Sequence, residues 1–146
     1  MFRGPLPVIP PAPVLNPHPS FLISEAPISE PVAQFSGGEG AEVRFLGIVR
    51  GIEDGREISG IEYSAYLPMA ERLFGELIAN RAAHHPEHQV YLRHRLGFVP
   101  ATQPSILIRV RTRHGAEAFD LCQWYLREIK TKAPIWKMPI FKEPTI

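Results

Sequence analysis

The chain has 146 residues, 45% of them hydrophobic and 21% charged, which suits one domain around one core. A formal net charge of +1 excludes an overall pull toward nucleic acid or an anionic membrane, and leaves only a local basic site open. The one cysteine, Cys122, excludes an intrachain disulfide, and no apolar run approaches transmembrane length.

Of the 16 prolines, seven fall between Pro5 and Pro19. Proline lacks a backbone donor and resists helix and sheet, so residues 1–19 are expected to be an extended or disordered tail. The same stretch makes a poor signal-peptide core, and the expected compartment is the cytoplasm. The domain is set at 20–138, with 139–146 as a C-terminal tail. Phe21 to Ser29 reads as a short first strand, and Ser36 to Gly40 as a loop. Ala41 to Gly51 is rich in β-branched and aromatic residues and reads as a strand. Asp54-Gly55 is a hairpin signal, and Glu57 to Tyr66 reads as the returning strand, with a bulge expected at Gly60.

Pro68 suits the first turn of a helix, where its missing N–H costs nothing. The run that follows, up to Pro86, is amphipathic: Met69, Leu73 and Leu77 form one stripe, with Ala70, Phe74 and Ile78 beside it. His88 to Gly97 reads as a strand, and Phe98 to Pro104 as a loop. Ser105 to His114 alternates cleanly, placing Ile106, Ile108, Val110 and Thr112 on one face and Leu107, Arg109, Arg111 and Arg113 on the other. Gly115 to Lys130 reads as a second helix, with Ala118, Leu121, Cys122 and Tyr125 on its apolar side. Pro134 stops it. The order of elements predicts an α+β domain with a mostly antiparallel sheet and two main helices.

Several residues are candidates for chemistry, each with a plain structural alternative. Lys130 ends a helix, where the dipole favours a cation. If Ala133-Pro134-Ile135-Trp136 folds the chain back, Lys130 and Lys137 face one cleft and handle an anion. Arg50, between Gly47 and Gly51, is either a surface arginine or a phosphate clamp approached through glycine. His114, at a strand-to-helix junction, is either a capping histidine or a donor beside helix N–H groups. The run His84-His85-Pro86-Glu87-His88 invites a metal reading, but Pro86 breaks the helical spacing and no cysteine or acidic cluster completes a site. Arg109, Arg111 and Arg113 suggest nucleic acid, yet the face lacks interleaved aromatics, which favours a solvated or dimer-facing strand. Cys122, on an apolar helix face, reads as core.

Three stretches taken together carry a family resemblance. RFLGIVRG, a DG turn and IEYSAYLPMAE resemble the opening of the molybdopterin synthase large (catalytic) subunit. HRLG, His94 to Gly97, resembles that family's His-Arg-x-Gly strand end, and IKTKAPIWK resembles its Lys-x-x-x-Pro-Ile-Trp-Lys signature. The resemblance runs from about Phe21 to Lys137.

It implies an α/β-hammerhead fold and a homodimer within a heterotetramer. Each end would bind a small ubiquitin-like subunit ending in a Gly-Gly thiocarboxylate. It implies sulfur transfer to cyclic pyranopterin monophosphate, building the dithiolene of molybdopterin in molybdenum cofactor biosynthesis, with no metal or other cofactor on this subunit. By resemblance, Lys130 and Lys137 are the catalytic lysines, the first near the tail's terminal carbonyl, the second holding substrate. Arg50 and His114 match positions lining the pterin-phosphate pocket, and Phe45 an aromatic position near it. The family's pocket is completed across the dimer. The chain departs from the pattern at Gly115, where arginine is usual, at Thr102-Gln103, where Gly-Glu is usual, and at Met138-Pro139, where a cation and glutamate are usual. The alternative to an enzyme is a non-catalytic partner-binding module on the same scaffold.

Overall fold

The computed structural model describes Gly4 and residues 20–143; the expected tail at 1–19 lies, apart from Gly4, outside the described residues. In chain order the elements are β1 (Phe21–Ser24), β2 (Ala41–Ile48), β3 (Ile52–Glu53), β4 (Arg56–Ala65), α1 (Leu67–His84), β5 (Gln89–Arg95), β6 (Gly97–Pro100), β7 (Pro104–Thr112), α2 (Gly115–Lys132) and β8 (Ile135–Phe141). They form two sheets and one helical layer. The first sheet has the order β1-β5-β7-β2, antiparallel except for the parallel pair β1–β5. In the second, β4 is central, with β3 at its start and β6 and β8 on its two sides. This is the expected α+β class.

The main core lies between the first sheet and the helices. Ile106, Ile108 and Val110 of β7 meet Leu121, Cys122, Tyr125 and Ile129 of α2, with Ala70, Phe74 and Leu77 of α1 beside them. These positions recur at three- and four-residue spacing, so each helix buries one stripe. In α1 the buried stripe is Ala70, Phe74 and Leu77, and Met69 is left exposed. A smaller core of Val49, Ile58, Ile61 and Val99 holds the second sheet.

Asp54 and Gly55 both have positive φ, 52° and 73°, which is the left-handed pair that a two-residue hairpin loop needs. Gly60 sits at a register shift in the β4–β8 pairing. A Cβ there would come within 2.3 Å of the Val99 carbonyl oxygen and 2.7 Å of the Phe98 ring, so close strand approach demands glycine.

Two expectations need correcting. Phe98–Pro100, read as part of a loop, belongs to strand β6, Gly97–Pro100, paired with β4. Its four residues are too short for alternation to show. The chain after Pro134 is also regular: β8 pairs with β4 from Ile135 to Phe141 and runs past the boundary set after Met138. Pro139 lies on a strand paired on one side only, the edge position at which a sheet tolerates proline.

Candidate functional site

The connection between β7 and α2 is two residues long, Arg113 and His114. So short a link makes α2 turn back along β7, and α2 packs over β7 and β2. Because β2 is antiparallel to β7, its C-terminal end, and Arg50 just beyond, lie toward the end of the sheet where α2 finishes. Lys130 is on the last turn of α2, exposed. The chain then turns through Ala133 and Pro134: the Ala133 N–H donates to Ile129 O at 3.0 Å, and the Tyr66 N–H donates to Pro134 O at 3.1 Å. That second bond ties the turn to the start of α1. Lys137 follows on β8, directly across from Tyr63 of β4 and exposed. The apolar turn thus fixes where both lysines emerge. Among the described residues neither is in an ion pair.

The surroundings of Lys137 are polar and ordered. Antiparallel partners point to the same side of a sheet, so Lys137 shares a face with Tyr63. The Tyr63 hydroxyl donates to Ser105 Oγ at 3.2 Å, and its ring packs edge-on against His94 at 5.3 Å. His94 is buried, and that burial pushes its pKa below the usual value, favouring the neutral ring.

Arg50 is exposed, with its Nη2 3.4 Å from Glu53 Oε2. Its neighbour Gly47 is not an opening for a ligand. A Cβ there would meet Ile106 Cγ2 at 2.5 Å and the Phe45 ring at 3.4 Å, so packing requires this glycine. Phe45 lies in register with Ile108 and is half-buried against the main core, beneath the helices.

His114 is the N-cap of α2 and exposed, with extended backbone and no side-chain cap bond. Lys130 lies sixteen positions further along the helix, roughly 24 Å at the α-helical rise. Within one chain the structure therefore places Lys130, Lys137 and Arg50 toward one end of the sheet and His114 at the other. Gly115 has open space around it; a Cβ would meet only the Ala41 Cβ, at 4.0 Å.

The competing readings find other uses for their residues. Arg109 and Arg111 are both held by Glu42, at 3.0 and 2.8 Å, and Arg113 by Glu87. Each of these arginines is already paired with a carboxylate of the same chain. In the histidine run, His88 Nδ1 donates to His85 O at 2.6 Å and Nε2 accepts from the Tyr125 hydroxyl at 2.7 Å. Among the described residues no group of three His, Cys, Asp or Glu is placed to hold a metal ion. Cys122 is buried in the core, and burial raises its thiol pKa. No helix among the described residues is long and apolar enough to cross a membrane. Sequence reasoning missed Glu53, the carboxylate beside Arg50. Its only signal was its place three residues on, just before the hairpin turn.

A model of the MoaE protein family matches residues 23–132. The chain belongs to the MoaE family. It is 36% identical to the molybdopterin synthase catalytic subunit of Nostoc sp. over 138 residues, 89% of this chain and 84% of that protein. It is 35% identical to the subunit of the same name from Homo sapiens, over 71% of this chain but 55% of that protein, so it spans about half of this longer relative. Among solved structures, molybdopterin synthase from Staphylococcus aureus is similar with a TM-score of 0.76 at 28% identity, over 86% of this chain and 94% of that one. A complex of subunits 1 and 2 of the molybdopterin-converting factor from Helicobacter pylori is similar with a TM-score of 0.60 at 27% identity, over 73% of each chain.

Proposed function

We propose that this chain is the catalytic subunit of a molybdopterin synthase. It takes sulfur from the C-terminal Gly-Gly thiocarboxylate of a ubiquitin-like small subunit and transfers it to cyclic pyranopterin monophosphate. The observation that carries this reading is the pair of lysines, Lys130 and Lys137. They flank a turn pinned at both ends and have no acidic partner among the described residues. The reaction brings two anionic groups together, a thiocarboxylate and a phosphate. Cations already in place offset that repulsion without reorganising. Lys130 stabilises charge developing on the tail's carbonyl as sulfur leaves, and Lys137 holds the substrate. Arg50 binds the phosphate. Phe45 stands near the pocket as an apolar wall of the adjoining core.

His114 lies too far along α2 to serve the same chain's lysines. In this reading the chain is a homodimer, each pocket takes His114 from the partner subunit, and the assembly with two small subunits is a heterotetramer. It works in the cytoplasm and uses no metal.

The test is a single-turnover reaction of this protein with a thiocarboxylated small subunit and cyclic pyranopterin monophosphate, with molybdopterin read as its oxidised fluorescent derivative. Product is expected. Gly115 favours a second reading, a partner-binding module that keeps the groove without turnover. A stable complex but no product, with a small subunit competent elsewhere, would establish the module. Open space around Gly115 allows Gly115→Arg to fold normally. In an active enzyme the added cation is expected to strengthen substrate binding about tenfold, read as the half-saturating pterin concentration.

A further inference from the structure

Arg50 has an exposed side chain, its Nη2 3.4 Å from Glu53 Oε2, on a fixed backbone. The residue before it, Val49, is buried and makes two reciprocal bonds with the turn after β6. Its N–H donates to Gln103 O at 3.0 Å, and its carbonyl accepts from the Thr102 N–H at 2.7 Å. The residue after it, Gly51, accepts from the Ile58 N–H at 3.0 Å. The turn itself is anchored twice more. The Ala101 N–H donates to Ser59 O at 2.9 Å, and Gln103 Oε1 accepts from Arg95 Nη1 at 2.7 Å.

At the centre of this clasp Thr102 has φ +77°, in the left-handed region. A β-branched residue is rarely found there, because its Cβ substituents crowd the backbone. Such a conformation persists only where its surroundings over-determine it. Here the strained residue is also the donor, its N–H bonded to the Val49 carbonyl.

We infer that the turn Ala101–Gln103 is the positioning element for Arg50, with Thr102 as its strained centre and Gln103 as its brace against Arg95. The inference rests on the reading of Arg50 as the phosphate ligand. An arginine whose backbone is one peptide bond from a clasped residue presents its guanidinium to the phosphate from a set origin. Release of the clasp lets it wander, which weakens substrate binding more than the chemical step.

Thr102→Pro removes the donor and cannot take a positive φ. Thr102→Gly keeps the donor and accepts that φ freely. In single-turnover reactions, Thr102→Pro is expected to raise the half-saturating pterin concentration about tenfold with the saturated rate within about twofold, and Thr102→Gly to match the parent. Combined with Arg50→Ala, Thr102→Pro should add nothing, because both act through one group. An equal rise with and without Arg50 would overturn the inference, as would an unchanged value in folded Thr102→Pro protein. Arg50→Ala with parent binding would instead overturn the reading of Arg50.

Hydrogen exchange at the Val49 amide tests the clasp without reference to substrate. It should be slow in the parent and in Thr102→Gly, and fast in Thr102→Pro. Should Thr102→Pro fail to fold, Gln103→Ala, which frees Arg95, replaces it with the same expected direction. No rise in that folded variant would overturn the inference.

Discussion

Lys130 is exposed and has no acidic partner among the described residues, so its removal should cost the fold little and the reaction much. Lys130→Ala is expected to lower turnover by about 100-fold or more. Its thermal midpoint should stay near the parent's, as an exposed site usually changes stability by less than about 0.5 kcal/mol. Near-parent turnover would remove Lys130 from the mechanism. The histidines make a different prediction. Burial lowers the pKa of His88 and of His94 below the ordinary 6.5. His88 bonds to His85 O, which raises its pKa, but its burial outweighs that, and its other ring nitrogen meets the Tyr125 hydroxyl, which burial keeps protonated. Below pH 6.5 the unfolded chain takes up protons that these folded rings refuse, so their contribution is complete above that pH and is lost as pH falls. Thermal midpoints measured from pH 8 to 5 should hold and then decline below 6.5. The decline should be shallower in His94→Asn. A rise on acidification would contradict the assignment.

At the scale of elements, β8 carries Lys137 and closes one side of β4. Ile58 and Ile61, almost fully buried, pair with its last residues, Phe141 and Pro139. A chain stopped after Met138 keeps both lysines but strips those pairs and uncovers the smaller core. Such a chain is expected to lose about 2–4 kcal/mol of stability in urea unfolding, and its activity should fall with its folded fraction. Stability equal to the full chain's would mean that the strand end contributes nothing. The end of this strand, from Pro139, reads as a tail in the sequence because nothing local marks it as a strand: only pairing with β4 makes one of it.

For the whole molecule, the span of α2 between His114 and Lys130 decides how sites can be built. If each pocket draws its lysines from one chain and its histidine from the other, two inactive variants complement one another. Lys130→Ala and His114→Ala chains, unfolded together and refolded as mixed dimers, should recover about a quarter of parental activity, since half the dimers hold one intact site. A pocket built within one chain would recover none.

The sequence by itself determined the two helices, the Asp54-Gly55 hairpin, the main antiparallel strands and the two lysines around Pro134. Each of these is written locally, in three- and four-residue spacing, in alternation, or in residues that favour one turn. Three motifs in order were enough to point to the family. Tertiary structure alone decided the rest. It made strands of Gly97–Pro100 and Ile135–Phe141, paired Arg109 and Arg111 with Glu42, gave Gly47 to packing, put Glu53 beside Arg50, and sent His114 to the far end from Lys130. Those outcomes depend on partners distant in sequence. Strand pairing, charge compensation and close backbone approach are properties of two segments together, and neither segment carries them alone.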